Sequence, residues 1–206
     1  MLPILLEYFK FTVSKDFTLA SPAFAALRQA VKTSGGVKEQ YYGLTDDEKK
    51  DLIWVVEWPG NVVPASFSSG TDLRQKINAL DVNATPVSWL IPFRFPQEVR
   101  PALTAPVCEF AFVMIKDASD KDTIATSLHK TFTDCYYALA DGFTGGNWGI
   151  AANNDRMHVY FLGFQSREHH AKYFASDLCK VEINALMPHY AAGSGAEFSK
   201  LTQELS

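Results

Sequence analysis

The sequence lacks long hydrophobic runs and any excess of positive charge. No run reaches the roughly 18 apolar residues that a membrane-spanning helix needs, so no membrane span is expected. Residues 1–6 contain no basic stretch and are followed by Glu7, so they are not expected to act as a signal peptide. The formal net charge is −4 and Lys and Arg do not cluster, which argues against a nucleic-acid partner.

Cysteine is scarce, and the few cysteines form no recognisable pattern. Cys108, Cys135 and Cys179 are an odd number of thiols, at spacings that suit no metal site. Proteins that depend on disulfides generally fold in oxidising compartments. We therefore expect three reduced thiols and a cytoplasmic protein.

The motifs that bind common cofactors are also missing. No Gly-x-Gly-x-x-Gly follows a strand, and no Walker-type phosphate loop is present. Residues 142–149 are rich in glycine, but they join a helix to a strand, whereas a phosphate cradle needs a strand leading into a helix N-terminus. His169 and His170 point about 100° apart on a helix, so they cannot both bind one ion. We expect no metal, haem, flavin or nicotinamide.

What the sequence does contain is a series of alternating and helical hydrophobic patterns in its first half, residues 1–96. The period-2 pattern predicts four strands, and the 3.6-residue pattern predicts two helices between them. Ser21-Pro22 suits the start of the first helix. Gly35-Gly36 is expected to end it. The predicted strands are Leu2–Val13, Val37–Leu44, Asp51–Trp58 and Val87–Phe95, and the second helix contains Leu73, Ile77 and Leu80.

The second half, residues 107–206, repeats this order after a proline-rich segment, 97–106, that is predicted to be a linker. Gly145-Gly146 is expected to form a turn in the place that Gly35-Gly36 has in the first half. Asn153-Asn154-Asp155-Arg156 is typical of a hairpin turn. Ser166 suits the N-cap of the helix that carries His169 and His170. The predicted elements are strands Val107–Lys116, Trp148–Asn153, Met157–Phe164 and Glu197–Leu201, and helices over Lys121–Ala140 and after Ser166.

Individual positions also correspond between the halves. Glu7 and Glu109 occupy matching places in the two first strands, and Trp58 and Phe164 both end a third strand. Two copies of β-α-β-β-α-β predict an α+β fold built from two tandem ferredoxin-like modules, 1–96 and 107–206.

The segment Phe164-Gln165-Ser166-Arg167-Glu168, followed by a helix, resembles the antibiotic-biosynthesis-monooxygenase (ABM) branch of the dimeric α+β barrel superfamily. The resemblance implies that the two modules pack sheet to sheet, so that one chain forms the barrel that two subunits usually make. A single chain would then be a monomeric pseudo-dimer. Association of two such chains into a further homodimer is left open. The superfamily includes cofactor-free oxygenases, polyketide cyclases, lactone isomerases, haem-degrading enzymes and stress proteins.

Candidate catalytic residues come from the second half, which contains all five histidines. His129 lies on the predicted first helix, His158 on the third strand, and His170 on the helix face that should meet the sheet. A neutral imidazole is a common general base, although each histidine can equally be structural. The substrate-binding residues expected around them are Tyr136, Asn147, Trp148, Tyr160, Phe164 and Phe174.

Carboxylates within apolar strands are a second group of candidates. Glu7, Glu57 and Glu109 stand in such strands, and a buried carboxyl group with a raised pKa can donate a proton. The alternative is that these side chains reach water at an edge or pair with Lys10 or Arg94.

Three functions are compatible with these patterns. The first is cofactor-independent oxygenation, cyclisation or isomerisation of an aromatic or polyketide-like small molecule in the second module. The second is non-catalytic binding of a hydrophobic ligand. The third is a stress or assembly protein whose surface binds partners. A histidine and a tyrosine that converge in an apolar cavity would favour the enzyme.

Overall fold

The computed structural model describes residues 3–33, 36–62, 64 and 72–205. It confirms the predicted α+β class, because helices accompany two antiparallel sheets. The chain forms two compact units, one comprising Met1–Pro96 with Ser199–Ser206 and the other Gln97–Phe198. Within the described residues, no helix is both long and apolar enough to cross a membrane. The sheet-to-sheet packing of the modules stays a prediction.

The predicted strands and helices occur in the predicted order, with two additional helices, Pro96–Leu103 and Asp177–Leu186, and an additional strand, Thr202–Leu205. Short 3₁₀ helices at Asp134–Asp141 and Met187–His189 follow two of the α-helices. The strands and α-helices are β1 (Ile4–Phe11), α1 (Pro22–Thr33), β2 (Glu39–Leu44), β3 (Leu52–Pro59), α2 (Asp72–Leu80), β4 (Val87–Phe93), α3 (Pro96–Leu103), β5 (Val107–Met114), α4 (Lys121–Thr133), β6 (Phe143–Ala151), β7 (Asn154–Phe164), α5 (Arg167–Phe174), α6 (Asp177–Leu186), β8 (Gly195–Ser199) and β9 (Thr202–Leu205).

The first unit is built on a sheet with the strand order β4-β1-β3-β2-β9. Helix α1 buries Phe24, Leu27 and Val31, which recur at helical spacing and face the sheet. Two tryptophans of β3, Trp54 and Trp58, are fully buried in the same core. Aromatic side chains therefore fill the interior of this unit.

The second unit has a four-stranded sheet in the order β6-β7-β5-β8. Helix α4 begins at the N-cap Asp120, whose side chain accepts a hydrogen bond from the amide of Asp122. Its apolar face, Ile124, Leu128 and Phe132, is buried against the sheet. The helices and the sheet of this unit enclose the candidate site described below.

Strand register confirms the correspondence between the two halves. Leu5 pairs with Trp58 and Glu7 with Val56 between β1 and β3. Val107 pairs with Phe164 and Glu109 with Leu162 between β5 and β7. Glu7 therefore lies two residues after Leu5, the partner of Trp58. Glu109 likewise lies two residues after Val107, the partner of Phe164.

The predicted Gly145-Gly146 turn is wrong, because both glycines lie inside β6. A Cβ atom on Gly146 would lie 2.1 Å from the carbonyl oxygen of Phe161 on β7, so only glycine fits this close strand contact. Gly145 has a φ of 124°, a conformation that other residues rarely adopt. The equivalent prediction at Gly35 lies outside the described residues.

The predicted linker 97–106 is replaced over most of its length by α3. Pro96 occupies the first helical position, where its missing N–H costs no hydrogen bond. Val99, Ala102 and Leu103 are buried, and this burial stabilises the helix despite Pro101 inside it.

The last predicted strand, Glu197–Leu201, corresponds to β8, which begins earlier at Gly195. A further strand, β9, follows and pairs with β2 of the first unit through Glu39 and Leu205. This pairing explains why residues 199–206 group with the first unit, although the sequence analysis assigns them to the second module.

Candidate functional site

A cavity of about 350 Å³ lies in the second unit, on the face of the sheet that α4, α5 and α6 cover. Its volume is within the range of small-molecule sites. Apolar side chains dominate its wall, so the cavity suits an apolar ligand. The lining residues are Glu109, Ala111, Phe112, Val113, Thr131, Tyr160, Phe174, Ile183, Met187, Tyr190, Gly195 and Ala196.

Glu109 is the one carboxylate in this wall among the described residues, and His170 lies directly beside it. His170 Nε2 is 3.3 Å from Glu109 Oε2, and the two side chains are only 13% and 9% exposed. A hydrogen on Nε2 would be donated to the carboxylate. The pair places a proton-accepting group at the edge of an apolar cavity, the combination that general-base catalysis needs.

Local structure explains how these two side chains meet. Cross-strand partners share a face of the sheet, and Glu109 is opposite Leu162, whose side chain lies in the helix-facing core. Ser166 caps α5 by accepting a hydrogen bond from the amide of His169. The cap fixes the first turn of α5, and His170 then faces the sheet, as the sequence predicts.

Aromatic rings hold the His170 imidazole on three sides. The ring centroids lie 5.2 Å from Phe164, 5.8 Å from Phe174 and 4.7 Å from Phe198. Phe164 is fully buried, whereas Phe174 is half exposed at the cavity wall. This packing restricts the ring to an orientation that keeps Nε2 toward Glu109.

Trp148 forms a second aromatic group with two of the predicted histidines. Its ring stacks on Tyr160 at 5.4 Å and on His158 at 5.9 Å. His129 approaches from α4 at 6.3 Å, but its side chain is exposed. Neither His129 nor His158 is among the residues that line the cavity.

His158 is almost fully buried and is held by backbone groups. Its Nδ1 lies 3.3 Å from the carbonyl oxygen of Val113 and 3.2 Å from that of Arg156. Since both partners accept hydrogen bonds, Nδ1 carries a proton. Burial lowers the pKa of His158, although the two carbonyls oppose this effect. The folded protein therefore favours the neutral ring.

We predict that His158 makes stability depend on pH. The unfolded chain protonates this side chain below a pKa of 6.5, whereas the folded pKa is lower. Stability is then complete above pH 6.5 and falls as the pH drops, by at most about 1.4 kcal/mol per pH unit for one proton. Urea unfolding of wild type and His158→Gln at pH 7.5 and 5.5 measures the effect. Equal pH dependence in both proteins would contradict the prediction.

The remaining predicted binding residues lie around the wall rather than all within it. Tyr160 lines the cavity, but its hydroxyl donates to the carbonyl of Leu128 at 2.7 Å. Tyr136 donates to the carbonyl of Gly146 at 3.4 Å. Asn147 Nδ2 donates to Glu98 Oε2 at 2.9 Å. Of the predicted set, Tyr160 and Phe174 line the cavity.

From the sequence, Glu109 was predicted only as one of three candidate proton donors, and Tyr190 and Phe198 were not predicted at all. A carboxylate inside an apolar strand is unusual, and this pattern drew attention to Glu109. The pattern of a single sequence could not identify His170 as its partner. Tyr190 follows a 3₁₀ helix and Phe198 lies in the short strand β8, so neither belongs to a long periodic pattern.

The matching position in the first unit is built differently. Glu7 Oε2 accepts a hydrogen bond from Trp58 Nε1 at 2.8 Å, so this carboxylate meets an indole N–H, whereas Glu109 meets the imidazole of His170. An indole donates but cannot accept a proton at ordinary pH. The described residues contain no cluster of three or more His, Cys, Asp or Glu side chains suited to a metal ion.

No protein-family model matches the sequence, and no curated protein matches it. Solved structures match over nearly its full length. A putative monooxygenase from Fusobacterium nucleatum is 13% identical with a TM-score of 0.63, covering 100% of this chain and 95% of its own. A putative monooxygenase from Lactobacillus acidophilus is 14% identical with a TM-score of 0.58, covering 100% and 97%.

An anthrone oxidase-like protein is 8% identical with a TM-score of 0.67, and the match covers 98% of this chain and 93% of that protein. Identities this low show the fold alone. The chain therefore has a tandem ferredoxin-like α+β fold, which it shares with these three solved structures.

Proposed function

We propose that the second unit is an enzyme that removes a proton from an aromatic or polyketide-like small molecule bound in its cavity. Proton removal would begin a cofactor-independent oxygenation, cyclisation or isomerisation. The observation that carries the proposal is the Glu109 carboxylate in an apolar wall, with His170 Nε2 at 3.3 Å. The fold shared with monooxygenase-type proteins supports an enzyme of this kind.

In this proposal Glu109 is the base and His170 positions it. Glu109 lines the cavity and can reach a ligand, whereas His170 stands behind the wall among aromatic rings. Glu109 accepts the proton of an acidic C–H bond, and the electron pair of that bond moves into the substrate to form an enolate. A hydrogen bond from His170 Nε2 holds the carboxylate in its orientation in the cavity wall.

An enolate can then react in several ways. With molecular oxygen as co-substrate, an anthrone would become an anthraquinone and water, the enolate supplying the electrons. Without oxygen, attack on an internal carbonyl would give cyclisation, and return of the proton at another carbon would give isomerisation. Anthrone is a suitable probe because a structural neighbour is an anthrone oxidase-like protein.

The first test separates proton transfer from oxygen chemistry. Deuterium exchange at the anthrone methylene is measured by NMR under argon, above the rate in buffer alone. We expect wild-type protein to catalyse exchange, and oxygen uptake in air then identifies oxygenation. Bound anthrone that does not exchange faster than in buffer would instead favour a non-catalytic binding protein.

The positioning role of His170 predicts a difference between two variants. His170→Phe preserves aromatic packing but removes the hydrogen-bond donor, so we expect exchange to fall by about 10²-fold. His170→Gln retains a donor and should recover part of the rate.

The third candidate histidine gives the comparison. His129 is exposed on α4, so His129→Ala should keep most of the exchange activity. Exchange that survives His170→Phe, or that is equally slow in His170→Phe and His170→Gln, would refute the positioning role. Loss in His129→Ala alone would move the base to α4.

A further inference from the structure

The polar side chains of the cavity wall differ in whether their donor hydrogens are already used. Besides Glu109, the wall contains three hydroxyl groups, those of Thr131, Tyr160 and Tyr190. Thr131 donates to the carbonyl of Ser127 at 2.8 Å, and Tyr160 donates to the carbonyl of Leu128 at 2.7 Å. These two donor hydrogens are committed to α4.

Tyr190 is different. Among the described residues no hydrogen-bond partner is present for its phenol, and Tyr190 is a half-buried residue of the cavity wall. Its backbone is held in place, since its amide donates to the carbonyl of Met187 at 3.1 Å and the residue forms a bridge with Ile115. A fixed residue thus presents an uncommitted donor to an apolar cavity.

Burial raises the pKa of Tyr190 to about 12, and the neighbouring Cys179 acts in the same direction. The phenol stays protonated at every pH at which the protein would ordinarily work. It can therefore donate a hydrogen bond, including to an oxygen that becomes negatively charged.

We propose that Tyr190 binds the carbonyl oxygen of the substrate and stabilises the enolate oxygen that forms when Glu109 removes a proton. This inference rests on the proposed function and names the substrate class: a planar, enolisable ketone, aromatic or polyketide-like, with its acidic C–H bond facing Glu109. As the proton moves to Glu109, the C–H electron pair shifts toward the carbonyl oxygen, where the Tyr190 hydrogen bond strengthens. A hydrocarbon without a carbonyl would leave both polar groups unmatched.

The direct test uses 9-fluorenone, a planar ketone with no acidic C–H bond, so its result is independent of proton transfer. We expect fluorenone to bind, with its infrared carbonyl stretch at lower frequency in wild type than in Tyr190→Phe. Tyr160→Phe is the matched comparison, because its hydroxyl also lines the cavity but is bonded to α4; it should leave the stretch unchanged.

Kinetics with anthrone provide the second readout. Tyr190→Phe should lower the maximal exchange rate by about 10²-fold, with a smaller change in KM, because the bond strengthens in the transition state. Tyr137→Phe removes a hydroxyl from a side chain that is 79% exposed and should leave the rate unchanged.

Failure of fluorenone to bind, or identical carbonyl frequencies in wild type and Tyr190→Phe, would overturn this inference. A normal frequency shift together with exchange that is unaffected by Glu109 and His170 substitutions would instead remove the proposed base and leave Tyr190 as a ketone-binding residue.

Discussion

Replacing Glu109 with glutamine is expected to lower deuterium exchange at the anthrone methylene by about 10³-fold. A positioned general base contributes about 10²–10⁴-fold to rate, and glutamine has nearly the same shape but cannot accept the proton. Among the described lining residues, no second carboxylate is present to replace Glu109. The effect should exceed that of His170→Phe, since that substitution leaves the carboxylate in the wall.

Glu7 offers a matched control for Glu109. It occupies the corresponding place in β1, is fully buried and accepts a hydrogen bond from Trp58. Glu7→Gln should therefore retain exchange activity, although it alters a buried carboxylate in the same way. Fluorenone binding confirms that the Glu109→Gln cavity remains intact. If Glu7→Gln abolished exchange and Glu109→Gln did not, the reaction would belong to the first unit.

The fold was predictable because its signals are local. The apolar run along β7, helical spacing along α4 and the cap at Ser166 each follow from a few neighbouring residues. The same local spacing correctly predicted that His170 faces the sheet. The prediction of a turn at Gly145-Gly146 was wrong because glycine is required at position 146 by the close contact with β7, not by a turn in its own segment.

The candidate site was only partly predictable because its pairs are tertiary. Glu109 and His170 belong to β5 and α5, and only strand register and helix packing bring them together. The histidine pattern could not show that His158 bonds to backbone carbonyls or that His129 is exposed. Tyr190 stands in an irregular segment, where periodicity carries no information.

The two units also differ in how their cores are packed. In the first unit Trp54 packs on Phe9 at a centroid distance of 5.4 Å and on Phe24 at 5.6 Å. The second unit has a cavity of about 350 Å³ beside its sheet. Burial of the aromatic rings stabilises the first unit, whereas the cavity of the second unit is the ligand site proposed above.

Replacing Trp54 with alanine is expected to lower the free energy of unfolding by about 3–5 kcal/mol. The side chain is fully buried, so the substitution removes aromatic contacts and leaves a cavity. It also removes the indole N–H that donates to Gln40 Oε1 at 3.0 Å, which leaves a buried amide oxygen without this donor. Urea unfolding followed by far-UV circular dichroism measures the loss.

Two further variants separate packing from hydrogen bonding in this core. Trp54→Phe keeps most of the aromatic contact but not the bond to Gln40, so a smaller loss of about 1–3 kcal/mol is expected. Val82→Ala changes a side chain that is 59% exposed and should stay within about 0.5 kcal/mol of wild type. A loss below about 1 kcal/mol in Trp54→Ala would mean that neighbouring side chains close the cavity. The first unit would then not depend on this aromatic core.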